Sequence, residues 1–321
     1  MDSTETEAIK ERQNRNRTMQ KTIARDITCK SVGLHSGRKV RMTIRPADVD
    51  EGITFRRNDL SGDNIIRATP SNVSDTTLAT TLGLNGVRIS TVEHLLSAFS
   101  GLGIDNALIE TDSFEIPIMD GSAQPFVALL KEAGIQEQSR ERQFIIITKS
   151  LTVTDGAASV SLHPSPHFEI TCSIDFDHPA VGRQVHYHVF SPDAYERDIS
   201  PARTFGFLHE VEYLQAKGLA LGGSLKNAVV LNGTKVINKE GLRFPDEFVK
   251  HKILDAVGDL SLLGLPIQGH LVAHRSGHKL NNLLLRTLMS RPDCWKLGIP
   301  DLPPLAAPSR ERKAQVRSLQ A

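Results

Sequence analysis

Cysteine is scarce in this chain: Cys29, Cys172 and Cys294 are the three in 321 residues, and no two of them form a Cys-x-x-Cys pair. That usage argues against thiolate-bound zinc and against a disulfide framework, and it fits a reducing compartment, so a cytoplasmic protein is expected. Charge of one sign is missing as well. Lys and Arg number 38 against 37 Asp and Glu, a net charge of +1, which gives no electrostatic reason for nucleic acid or a membrane surface as the main partner. No apolar run approaches the length of a transmembrane helix. Met1 to Arg17 is polar and charged without an apolar core, so neither a secretory signal nor a membrane anchor is expected there. Several catalytic signatures are also absent. There is no His-Glu-x-x-His helix, no Gly-x-Ser-x-Gly elbow and no phosphate-binding loop ending in Gly-Lys-Ser. Gly101-Leu102-Gly103 reads as a tight turn rather than a dinucleotide loop.

What remains is the composition of a globular enzyme. The length suggests about two domains, and 39% hydrophobic residues suffice for real cores. Residues 1–17 read as a disordered extension, 18–140 as a first domain, 141–303 as a second, and 304–321 as a flexible tail. The polar run from Gln136 to Arg142 is the expected linker. Lys39-Val40-Arg41-Met42-Thr43-Ile44 alternates as a strand does. Helix is expected through Leu208 to Gln215, then strand, an Asn232-Gly233 turn, and strand again.

The most informative segment is Phe248 to Leu260. At roughly 100° per residue, His251, Asp255 and Asp259 fall within about 80° of one another on a helix. Val249, Ile253, Ala256, Val257 and Leu260 take the opposite side. A solvated face normally mixes Lys and Glu at four-residue spacing, so an acidic and histidine face points to a bound metal. On this segment alone, a surface histidine hydrogen-bonded to Asp255 explains the spacing equally well. A second segment, Ile89 to Gly101, repeats the pattern. Overlaying His94 on His251 pairs Val92 with Val249, Leu96 with Ile253 and Gly101 with Gly258, a weak internal repeat. Two such copies facing each other would gather His94, His251 and Asp255, a set suited to catalytic zinc with a position open to water. Glu93 would stand beside it as a base.

Other histidines carry less. His186 and His188 share a strand face but lack a third ligand at matching spacing. His270 and His274 belong to an expected strand, which leaves His278 alone at a loop tip.

These residues lie within a wider set: Gly33-Leu34-His35-Ser36-Gly37, Ser90-Thr91-Val92-Glu93-His94, Ile116 to Ser122, Ala202-Arg203-Thr204-Phe205-Gly206-Phe207, His251-Lys252-Ile253-Leu254-Asp255 and Ser276-Gly277-His278. In this order they resemble the UDP-3-O-acyl-N-acetylglucosamine deacetylase family, from about residue 18 to about 300. The resemblance implies an α+β fold of two similar domains, each with helices packed on a β-sheet and a small insert, and an active site between them. It implies zinc-dependent hydrolysis of the N-acetyl group of a UDP-linked 3-O-acyl glucosamine in lipid A biosynthesis, with one zinc per chain and a monomeric protein. Carried over by position, His94, His251 and Asp255 are the zinc ligands and Glu93 the base. His278 is the general acid, oriented by Asp259, and Thr204 donates to the oxyanion. Lys252 reaches the sugar or phosphate, and Arg275 and Lys149 are candidate pyrophosphate contacts. The insert of about residues 205–237 implies an acyl passage lined by Phe205, Phe207, Val211, Leu214, Leu219 and Ala220. A binding module that kept the fold and lost its chemistry would have no need of Glu93 or His278.

Overall fold

A computed structural model describes residues 19–300. The expected extension of residues 1–17 and the tail of residues 304–321 lie outside them. A five-stranded sheet is built from the first part of the chain in the order β2 (Ile27–Val32), β3 (Lys39–Pro46), β9 (Ala107–Thr111), β4 (Ile53–Arg57), β5 (Ile65–Arg67). Its neighbours run antiparallel except β4 and β9. Along β3, Val40, Met42 and Ile44 are buried while Lys39 and Arg41 are exposed, the alternation expected from period two. Helices α1 (Glu93–Leu102) and α2 (Gln124–Ala133) share a core with this sheet, Leu95, Phe99 and Phe126 clustering with Met42, Phe55 and Ile109. Helix α1 ends at Gly103, whose φ of 70° supplies the left-handed stop. A small sheet of β6 (Val73–Asp75), β7 (Thr81–Leu84) and β8 (Val87–Ile89) is the first insert.

The expected linker is not irregular. Ile135–Glu141 forms strand β10, antiparallel to β1 (Met19–Ile23). Its polar residues are tolerated because the two-stranded ribbon leaves most of them in solvent, a context that composition does not report.

The rest of the chain forms a seven-stranded sheet centred on β19 (Ile267–His274). This strand pairs with β11 (Phe144–Ile147), β13 (Ala158–His163) and β14 (Phe168–Asp175). Strands β12 (Leu151–Asp155), β15 (Arg183–Val189) and β20 (Trp295–Gly298) complete it. The second insert holds β16 (Phe205–Phe207), α3 (Leu208–Ala216), β17 (Val229–Asn232) and β18 (Lys235–Val236). Helices α4 (Glu247–Ser261) and α5 (His278–Met289) pack on the sheet and on each other.

The seam between these halves is the contact of α1 with α4, and Gly258 explains how close it is. A Cβ on Gly258 would collide with the backbone carbonyl of Glu93, and one on Gly101 with the ring of Tyr195. Gly258 therefore admits the opposite helix. Around the seam, Arg243 Nη2 donates to Asp120 Oδ2 at 2.8 Å, Thr204 N–H to the Gly121 carbonyl at 2.8 Å, and Gly222 N–H to the Leu34 carbonyl at 2.9 Å.

Candidate metal centre and active site

Helix α1 begins with Glu93 and His94, and the chain turns into it through Thr91 at φ 59°. A β-branched residue in the left-handed region is strained. The turn sets both side chains at the helix mouth, facing α4. From α4, His251 and Asp255 project toward them. Asp255 Oδ1 lies 3.4 Å from His251 Nε2 and 3.5 Å from His94 Nε2. The two imidazoles meet edge to face with centroids 5.0 Å apart. The three ligand atoms fall within 4.8 Å of one another, the sole such group among the described residues.

All three are buried, and Asp255 Oδ1 has no hydrogen-bond partner. An orphaned carboxylate oxygen in the interior costs several kcal/mol unless a cation meets it. His251 Nδ1–H donates to the Ala202 carbonyl at 3.1 Å, which leaves Nε2 as a lone pair aimed at Asp255. Burial lowers the His251 pKa to about 3 against the pull of Asp255, so the ring is neutral, the form that ligates a metal. The donor set of two imidazoles and one carboxylate suits a divalent cation of the zinc kind.

A second chain of contacts runs alongside. Glu93 is buried, its Oε2 accepts the Thr80 N–H at 3.0 Å, and its Oε1 lies 3.8 Å from His278 Nε2. Burial raises the Glu93 pKa, with His278 and His94 opposing. His278 Nδ1–H donates to Asp259 Oδ2 at 2.9 Å. The same oxygen accepts from Asn281 Nδ2 at 2.8 Å, and Asp259 Oδ1 accepts from Thr80 Oγ1 at 2.6 Å. Burial disfavours a charge on His278, but Asp259 and Glu93 outweigh it and carry the pKa to about 10. With Glu93 charged, Glu93, Asp255 and Asp259 carry three negative charges against the cations Lys252 and His278. One negative charge remains, which a dication would more than offset.

His278 is thus not alone at a loop tip. It opens α5, behind Gly277, with its ring turned into the seam. Sequence reasoning missed Thr80 and Asn281. Asn281 follows His278 by three residues on one helix, a spacing that shared-face reasoning can find. Thr80 offered no such signal.

Lys252 does not extend outward here. Its Nζ donates to Asp255 Oδ2 at 2.9 Å and lies 5.6 Å from the Phe205 ring centre, and the Asp255 charge raises its pKa against burial. Phe205 itself packs on Phe248 at 4.9 Å and approaches His251 at 6.3 Å. Thr204, one residue before it, is half-buried. Arg275, at φ 51°, is exposed and pairs with Asp175 at 3.6 Å. Lys149 is not brought to the cluster. It pairs with Asp293 at 3.4 Å, beyond the C-terminal end of α5, whereas His278 opens that helix. His186 binds Asp246 at 2.8 Å and joins no metal-ligand group.

In the second insert, Phe207 packs on His178 at 5.2 Å and Phe176 at 6.0 Å, while Val211, Leu214 and Leu219 are half-buried. Ala220 is buried at φ 52°, so a bulky side chain there would strain the backbone whatever else it did. A separate cavity of about 510 Å³ lies at the far ends of α1 and α4, lined by residues such as Phe144, Phe168 and Leu260, and it holds none of the groups above.

The family model described as UDP-3-O-acyl N-acetylglycosamine deacetylase matches residues 20–290. A UDP-3-O-acyl-N-acetylglucosamine deacetylase of Syntrophus aciditrophicus is 56% identical over 276 residues, 86% of this chain and 88% of the relative. One of Teredinibacter turnerae is 53% identical over 280 residues, 87% and 92% of the two chains. One of Chromobacterium violaceum is 49% identical over 294 residues, 91% and 96%.

Proposed function

The chain belongs to the UDP-3-O-acyl N-acetylglycosamine deacetylase family and is a deacetylase of lipid A biosynthesis, and we propose that zinc-assisted hydrolysis at the seam of α1 and α4 is how it works. Its substrate is UDP-3-O-acyl-N-acetylglucosamine, and the products are acetate and the free amine. His94, His251 and Asp255 hold one zinc. The observation that carries this reading is the buried, partnerless Asp255 Oδ1 facing two imidazole nitrogens. A divalent cation bound there supplies polarisation of the amide carbonyl and acidification of water.

The remaining steps belong to side chains. Glu93 takes a proton from the water that attacks the acetyl carbon. As the carbon–oxygen bond forms, negative charge gathers on the carbonyl oxygen, where the His278 cation and the Thr204 hydroxyl meet it. The carbon–nitrogen bond then breaks, and His278 gives its proton to the departing amine. Asp259 holds the imidazole in the tautomer and orientation that this transfer needs. Lys252 keeps Asp255 ionised and presents its ammonium beside Phe205 at the edge of the site, where the sugar would sit. Arg275 contacts the pyrophosphate. We take the protein to act as a monomer, and its three unpaired cysteines support a reducing compartment, the cytoplasm.

The direct test is acetate release from UDP-3-O-acyl-N-acetylglucosamine by the purified protein. Chelation should abolish it, and Glu93→Gln should retain the metal while losing on the order of 100-fold in turnover. Wild-type turnover in that variant would remove Glu93 from proton transfer.

A further inference from the structure

We propose that Thr80 is a positioning residue that locks the base and the acid of the reaction into one frame; the proposal rests on the roles assigned above to Glu93, Asp259 and His278. Thr80 lies in the first insert, between β6 and β7, and is 1% exposed. Its N–H holds Glu93 Oε2 at 3.0 Å, and its hydroxyl donates to Asp259 Oδ1 at 2.6 Å. Its carbonyl accepts the Val92 N–H at 3.3 Å, at the residue that caps α1. One residue thus grips the carboxylate that takes a proton, the carboxylate that aims the proton donor, and the start of the helix bearing Glu93 and His94.

The geometry leaves each carboxylate one free direction. With Oε2 of Glu93 held, Oε1 is the oxygen directed at His278. With Oδ1 of Asp259 held, Oδ2 is directed at His278 and Asn281. Glu93 stands on α1 and Asp259 on α4, so although the contact at Gly258 sets the two backbones, no bond along either helix joins the two carboxylates. Thr80 joins them through two hydrogen bonds to charged groups. It bonds to no metal ligand and to no substrate atom, so its loss acts through Asp259 and Glu93.

A double-mutant cycle on kcat tests this. Thr80→Val keeps the N–H and the shape and deletes the hydroxyl. It should lower kcat about tenfold or more with KM and zinc content near wild type, and lower Tm only modestly, as expected for loss of one hydrogen bond to a buried charged group. Thr80→Ser should restore most of the loss. Because Thr80 acts through Asp259, Thr80→Val combined with Asp259→Asn should be no slower than Asp259→Asn alone. Multiplicative losses in the double variant, a serine variant as slow as the valine one, or wild-type kcat in Thr80→Val would each overturn the proposal. Wild-type turnover in Asp259→Asn would bring down the acid assignment itself, and this inference with it. Should the valine protein not fold, Thr80→Ala takes its place in the same cycle with the same expectations.

Discussion

Burial in the seam works against a charge on His278, and Asp259 and Glu93 reverse that, so the ring keeps its proton to a pH of about 10. The unfolded ring titrates near 6.5. A pKa raised by folding means that the native state binds the proton more tightly. The linked stability is present in full below about pH 6.5 and is lost as pH rises through about 10. Activity should follow the same proton, with a basic limb assigned to His278. Replacing Asp259 with Asn removes the leading favourable charge, so its basic limb should move to lower pH, as profiles of kcat/KM against pH will report. An unmoved limb would detach Asp259 from His278. At this scale the sequence was legible where partners share a helix: the four-residue spacing of His251, Asp255 and Asp259 displays itself. Thr80 was hidden because it meets Glu93 across 13 residues and Asp259 across 179.

Elements place these residues through their ends. Helices α1 and α5 each present one of the proposed proton-transfer groups in the first turn, and each follows a residue in the left-handed region, Thr91 at φ 59° and Arg275 at φ 51°. Periodicity found the helices, but such turns leave no trace in hydrophobic patterning, which is why His278 read as a loop residue. The same limit turned β10 into a linker, since a strand in a solvated ribbon need not alternate. The second insert was legible from its Asn232-Gly233 turn, though what it covers was not. Helix α3 buries no residue fully, leaving Val211 and Leu214 half-buried beside Phe207. On the proposal that this half-buried apolar face takes the acyl chain, each methylene contributes about 0.8 kcal/mol at most on burial. Leu214→Trp should therefore penalise a long-chain substrate far more in kcat/KM than a substrate without the 3-O-acyl group. Equal losses on both would make this face ordinary packing. Leu214 is a better position than Ala220, where the backbone is already left-handed.

At the scale of the molecule, two sheets with their helices are closed on each other so tightly that Gly258 rests on the Glu93 backbone. The internal repeat anticipated that His94 would face His251. It said nothing of how close the helices come, because a glycine records an approach without naming its partner. Closure buries Glu93, His94, His251, Asp255 and Asp259 together, each less than 5% exposed. Such a concentration of ionisable groups is costly without a counter-charge, so a metal bound there would belong to the architecture as well as to the chemistry. Titrating metal-free protein with zinc while following acetate release tests this directly. The rate should climb linearly and break at about one equivalent per chain, and the break should vanish in His94→Ala, His251→Ala and Asp255→Ala. Full activity without metal, or an undiminished break in all three variants, would contradict the account.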